Sequence, residues 1–275
     1  MSDFPADWLA RREPYDRRAR NPEVLAAVSR HLAALPAVTV VDLACGTGAT
    51  LRAITAALPA RQTWRLIDND LSLLARTPQA TEPDTIIRTV PIDLVHDLEA
   101  ALDGPVDLVT TSAFLDLVSA PWLERLVTEV AVRNLRFYVA LSYDGRVALE
   151  PADRGDDAII AAFNRHQRTD KGFGPALGPA AISNAIGLFE RIGYSIVQGR
   201  ADWEFGPADD LQVDILAGFA AAALAIGAPA GEVDAWVSRR KRLLAQSRST
   251  LRVGHIDLFA CPAVSAAPDI PSTRR

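Results

Sequence analysis

Val40-Val-Asp-Leu-Ala-Cys-Gly-Thr-Gly-Ala-Thr-Leu51 decides how this chain is read. An apolar, β-branched run from Val38 leads straight into a loop holding Gly46 and Gly48, and a helical pattern starts at Ala49. With two side chains missing, the loop backbone can come close to a bound molecule. The following helix turns its free N–H groups and positive dipole end toward the same place. Asp68 closes the next β-branched run. That is about twenty residues on, where a carboxylate can accept from both hydroxyls of a ribose.

Outward from this stretch, short apolar runs alternate with helical patterns. Pro22 opens a helix with Val24, Leu25, Val28, Leu32 and Leu35 at helical spacing, stopped by Pro36. Strands are expected at 38–43, 64–67, 86–92, 106–110 and 136–141, with helices at 49–58, 71–76 and 121–132 between them. Asp70 suits the cap of the second of these helices, and Pro121 the first turn of the third. Beyond 141 the spacing changes. Residues 144–178 read as an insertion with a helix at 156–167 and a glycine-rich turn at 171–178. A helix at 180–192 and a strand at 194–204 follow, then a helical hairpin at 209–226 and 232–246, and a last strand at 251–260. The pattern predicts an α/β fold: a doubly wound, mostly parallel seven-stranded sheet with an N-terminal helical arm and helical cap insertions. Residues 1–36 form the arm and first helix, 37–205 with 250–262 the ligand-binding domain, and 144–178 with 207–248 a cap. The tail, 263–275, is expected to be mobile.

Composition narrows the partners. Lys+Arg number 29 against Asp+Glu 34, a formal charge of −5. That balance gains little from phosphate attraction and argues against nucleic acid. Two cysteines without a CxxC or a Cys/His cluster fit neither a disulfide framework nor a structural metal site, so no metal is expected. The N-terminus lacks the apolar core of a signal peptide, and no apolar run spans a bilayer. A cytoplasmic protein without membrane contact is the expectation.

The motifs resemble those of the class I S-adenosylmethionine-dependent methyltransferases, whose first motif is often written DLGCGTG and here reads Asp42-Leu-Ala-Cys-Gly-Thr-Gly48. Ala44 stands where the family has its first glycine. The resemblance implies S-adenosyl-L-methionine as cofactor, with Asp42 holding the methionine amino group and Ala44, Cys45, Gly46 and Gly48 forming the loop around it. Leu66-Ile-Asp-Asn-Asp70 resembles the second motif, giving Asp68 the ribose and Asn69 a place beside it. Ile92-Asp-Leu94 resembles the segment whose aspartate, here Asp93, meets the adenine amine next to Leu94. Asp107-Leu-Val-Thr-Thr-Ser-Ala113 resembles the fourth-strand motif and brings in Ser112. As in relatives with an N-terminal arm, Arg12 or Tyr15 would reach the cofactor. The likeness is good over 38–145 and loose over 178–205.

Ligands of doubly wound sheets lie beyond the carboxyl ends of the strands. That puts Asp116, Tyr143 and Asp144 near the reacting groups, with Asp116 and Tyr143 as catalytic candidates. Asp116, inside the apolar run Ala113-Phe-Leu-Asp-Leu-Val118, has the surroundings that raise a carboxyl pKa and make a base; capping of a short turn is the competing role. His166 and His255 are further base candidates, each with a structural alternative. Trp203, Phe219 and Trp236 could line a cap over a small-molecule methyl acceptor, while the alanine-rich hairpin reads equally as a homodimer surface. Two other functions compete: a binding or regulatory protein that kept the loop and lost chemistry, and an NAD-linked oxidoreductase. For the dinucleotide pattern the third glycine would fall on Leu51, where close packing needs a small residue.

Overall fold

The computed structural model describes residues 5–79 and 84–263. The chain enters through α1 (Ala6–Ala19) and α2 (Pro22–Leu32), then alternates strands and helices. β1 (Val38–Leu43) takes the centre of the sheet. β2 (Gln62–Asp68) and β3 (Thr85–Pro91) lie on one side, and β4 (Leu108–Ser112) and β5 (Arg136–Glu150) on the other, all parallel. The far edge is antiparallel: β8 (Thr250–Pro262) inserts between β5 and β6 (Tyr194–Arg200), giving the order β3-β2-β1-β4-β5-β8-β6. A short eighth strand, β7 (Trp203–Phe205), pairs with the first half of β8 and extends the expected seven.

Helices cover both faces, which explains why the strands carry apolar residues on both. Within β1, Val41 and Leu43 pack under α6 (Ala120–Val132) and α8 (Ala181–Arg191), while Val38 and Val40 pack under α2 and α3 (Ala49–Ile54). Local signals act as the sequence suggests. Asn21 Oδ1 accepts from the amides of Glu23 and Val24 at 3.0 and 3.1 Å, with Pro22 in the first turn. Asp70 caps the short α4 (Leu71–Leu74) through the Ser72 amide at 2.8 Å. Among the described residues, no helix is long and apolar enough to cross a membrane.

Two differences bear on the site. The fifth strand does not stop at 141. It runs nine residues further to Glu150, with register shifts between Val139 and Ser142 and between Tyr143 and Val147, so the insertion begins inside the sheet. The expected 194–204 strand is split at Ala201-Asp202, which turns β7 onto the other half of β8. Beyond the sheet, α7 (Asp156–His166), α9 (Leu211–Ala225) and α10 (Ala230–Ala245) share a third core with Tyr143, Leu149, Trp203 and Phe205. The tail expected to be mobile, 263–275, lies outside the described residues apart from Ala263.

Candidate active site

The chain leaves β1 through three left-handed residues: Ala44 at φ +53, Gly46 at +55 and Gly48 at +81. A Cβ on Gly46 would come within 3.2 Å of Leu9 Cδ1, and one on Gly48 within 3.1 Å of Pro78 Cδ. Backbone conformation and neighbours thus both ask for glycine, and Leu9 shows that α1 roofs the loop. Ala44 takes the same conformation with a side chain, at a cost of roughly 1–2 kcal/mol. Glycine there is also more disordered in the unfolded chain. We therefore expect Ala44→Gly to stabilise the protein by a net ~0.5 kcal/mol, a rise in Tm of ~1–2 °C by scanning calorimetry; a fall would show that Ala44 is unstrained. Strain recurs beside it. Ala113 (φ +50) follows β4 and Leu141 (φ +55) sits in the β5 bulge, so three strained residues ring one end of the sheet.

Asp68 ends β2 with only 8% of its surface exposed. Its Oδ2 accepts from the Gly46 amide at 2.9 Å and its Oδ1 from the Asp70 amide at 3.0 Å. The Asn69 amide also acts on the carboxylate, and its remaining lone pairs are open to a hydroxyl. Asn69, next to it, is exposed. Asp42, in β1, is wholly buried; Thr110 Oγ1 donates to its Oδ1 at 2.7 Å, and its Oδ2 has no partner among the described residues. Burial raises its pKa to about 7 against the Thr110 hydrogen bond, the Arg20 charge and a further contribution from the Thr50 hydroxyl.

Facing Asp42 is a residue that sequence reasoning missed. Arg20, at the end of α1, is 8% exposed and donates to Tyr138 Oη at 3.3 Å and Ser112 Oγ at 3.4 Å. Asp257, buried in β8, accepts from the amides of Leu141 and Asn21 at 2.8 and 2.9 Å and contacts Tyr138 Oη at 3.3 Å. Ser112 is thus drawn into a buried polar network joining α1, β4, β5 and β8. Arg52, also missed, pairs with Glu13 of α1 at 2.6 Å and donates to the Thr47 carbonyl at 2.6 Å, tying the arm to the loop.

A second group lies beyond β4 and β5. Asp116 is 6% exposed, its Oδ1 has no partner among the described residues, and the Tyr143 backbone N–H donates to the carboxylate. Burial raises its pKa to about 6. The Tyr143 hydroxyl donates to Asn164 Oδ1 at 2.7 Å, and burial pushes its pKa well above that of a free phenol. It holds α7 and is poorly suited to move a proton, contrary to the catalytic role expected of it. His255, opposite Tyr143 in the ladder, has its ring 4.7 Å from Trp203 and 6.2 Å from Tyr143. Arg12 pairs with Asp16 at 3.2 Å, and its guanidinium lies 6.0 Å from the Trp203 ring, on this side of the site and not at the glycine loop.

The other expected residues make contacts of their own. Tyr15 donates to Asp209 Oδ1 at 2.7 Å and packs on Phe205, so it joins the cap and does not face the loop. Asp93 caps its own turn, accepting from the Val95 amide at 2.9 Å, with His96 Nδ1 at 3.1 Å. Leu94 is a core residue whose carbonyl accepts from Trp122 Nε1 at 2.8 Å. Cys45 is buried in the loop, and burial pushes its thiol pKa up. Asp144 is paired with Arg146, and His166 Nδ1 lies 3.2 Å from Lys171 Nζ. Trp236 donates to Asp156 at 2.8 Å and Phe219 stacks on Phe163 at 4.6 Å; both knit the cap together.

The fold recurs in solved structures. A protein assigned as a type II methyltransferase from Anaeromyxobacter dehalogenans superposes with a TM-score of 0.53 at 14% identity, covering 88% of this chain and 97% of its own. A cyclopropane-fatty-acyl-phospholipid synthase-like protein from Lactobacillus casei also gives 0.53, at 13% identity over 90% and 98%. The fold is that of the class I methyltransferases. An S-adenosylmethionine-dependent methyltransferase from Thiobacillus denitrificans, solved with S-adenosyl-L-homocysteine, matches less tightly, at 0.43 and 15% identity over 94% and 100%. No family model matches the sequence, and no curated protein does.

Proposed function

We propose that this protein is an S-adenosylmethionine-dependent methyltransferase acting on a small molecule. The observation that carries the reading is the unpartnered Oδ2 of buried Asp42, beside the buried guanidinium of Arg20. An orphaned carboxylate oxygen wants a donor, and a buried arginine wants an acceptor. The ammonium and carboxylate of an α-amino acid supply both. Asp68, with acceptor capacity left on its carboxylate, suits the ribose of the same ligand. When bound, the sulfonium supplies an activated methyl group for in-line displacement. The chain's own part is alignment, exclusion of water by α1 and the cap, and removal of a proton, for which Asp116 is suited.

Calorimetric titration tests this reading. Heat with S-adenosylmethionine and S-adenosylhomocysteine, and none with NAD, is the expected result; heat with NAD alone would overturn it. The pH dependence is a second check. Free Asp42 holds its proton up to about pH 7, and an ammonium beside it must displace that proton. Affinity for S-adenosylhomocysteine should therefore rise with pH below 7, by up to about tenfold per unit, and level off above. Asp42→Asn should flatten this dependence between pH 5.5 and 7.5. A wild-type affinity that does not change over that range would remove Asp42 from the amino group.

A further inference from the structure

Among the described residues, Arg65, Thr85 and Asp214 carry unpartnered buried polar atoms elsewhere, but several more lie around one end of the sheet. Besides Asp42 and Arg20, they include Asp116 Oδ1 and His255 Nδ1, on residues 6% and 5% exposed. Leaving such atoms unpaired costs a folded protein stability, so a concentration of them points to a ligand. Both belong to one neighbourhood. Tyr143 gives its backbone N–H to Asp116 and faces His255 across the ladder, and the Arg12 charge acts on both. The walls are aromatic: Trp203 lies 4.7 Å from the His255 ring, and Phe163 5.4 Å from Tyr143.

Both unpaired atoms accept. Burial, helped by Arg12, lowers the His255 pKa to about 3, so the ring stays uncharged, and the Val253 carbonyl favours a proton on one ring nitrogen. Nδ1 has no partner among the described residues, and a neutral imidazole nitrogen there can accept from a ligand O–H or N–H. Asp116 is ionised at neutral pH, its pKa being about 6. Two acceptors between aromatic walls suit a planar body with two donors. An anion would meet Asp116 and Asp16, and Arg12 is already paired with Asp16.

We propose that His255 is the specificity-determining residue for the methyl acceptor, an uncharged aromatic or heteroaromatic molecule with two O–H or N–H donors. This rests on the methyltransferase reading. One donor hydrogen-bonds to His255 Nδ1. The other reacts: its oxygen or nitrogen bonds the methyl carbon as the carbon–sulfur bond breaks, the electron pair of that bond stays on sulfur, and the proton passes to Asp116.

Fluorine NMR with 4-fluorocatechol and 4-fluororesorcinol tests it, on the full chain both free and saturated with S-adenosylhomocysteine. We expect binding to wild type about tenfold tighter than to His255→Phe, the loss of one hydrogen bond. His255→Asn, whose amide oxygen replaces Nδ1, should restore most of it. Circular dichroism establishes that His255→Phe is folded before its affinity is read, and rescue by His255→Asn is the readout that a purely structural histidine would not give. 4-Fluoroveratrole, without donors, and 4-fluorobenzoate, an anion, should bind more weakly than either dihydroxy probe. Equal affinity in wild type and His255→Phe, tighter binding of the benzoate, or no binding of either dihydroxy probe overturns the proposal. Failure of S-adenosylhomocysteine to bind is a separate result against the methyltransferase reading, and the free-protein titrations remain readable without it.

Discussion

Asp68→Ala should lower affinity for S-adenosylhomocysteine about a hundredfold. The carboxylate already takes the Gly46 and Asp70 amides, so its remaining positions face outward from a rigid mount. Two hydroxyls bonded to a mostly buried carboxylate contribute roughly 3 kcal/mol together, and 1.4 kcal/mol is a factor of ten. Alanine also releases the Gly46 amide, which loosens the loop the ligand rests on. Asp68→Asn keeps one acceptor oxygen and should lose only about tenfold. Calorimetry on both variants, with circular dichroism to establish folding, reads the effect. A folded Asp68→Ala with wild-type affinity would take the ribose away from this residue.

The largest stability effect should come from far off, in the cap. Arg240 has no exposed side-chain surface; it donates through Nε to Asp156 Oδ1 at 3.0 Å, pairs with Asp156 Oδ2 through Nη2, and reaches the Pro151 carbonyl at 2.9 Å. Asp156 also accepts from Trp236 Nε1 and the Asp153 amide. Arg240→Met strands this carboxylate in a buried place. Breaking such a pair costs about 3–5 kcal/mol, whereas replacing both members costs little. The single variant should therefore lose ~10 °C in Tm, and Arg240→Met with Asp156→Asn, which removes the stranded charge and keeps an acceptor for Trp236, should regain part of it. Arg252–Glu204, exposed on both sides, should change stability by under ~1 kcal/mol when removed. A single variant as stable as wild type would show that water reaches Asp156.

The part of the fold legible in the sequence was the part with local causes. The run into Gly46 and Gly48, Asn21 ahead of Pro22 and Asp70 ahead of Leu71 each act within a few residues, and each appears where its chemistry puts it. The fifth strand misled because Asp144-Gly145 looks like a turn; the sheet absorbs those residues in register shifts that depend on β8, over a hundred positions away. Arg20 was illegible for a similar reason. Nothing near it marks an arginine for burial, since its partners Ser112 and Tyr138 come from other strands. Tyr15 was illegible because the rotation of an arm helix about its axis is set by distant contacts, and α1 turns Leu9 to the loop and Tyr15 to Asp209.

The cap hairpin leaves the sheet after Phe205 and returns at Leu251, and those two residues face each other on one rung of the β7–β8 ladder. Everything from 206 to 250 thus enters and exits through a gateway one strand spacing wide, roughly 5 Å. Such a segment is a module on a socket. Another hairpin with the same end-to-end distance could be seated there without breaking the β7–β8 rung, provided it also met Tyr15 of α1 and Asp156 of α7, which Asp209 and Arg240 now hold, so the segment can vary while the strands that carry Asp42 and Asp68 stay fixed.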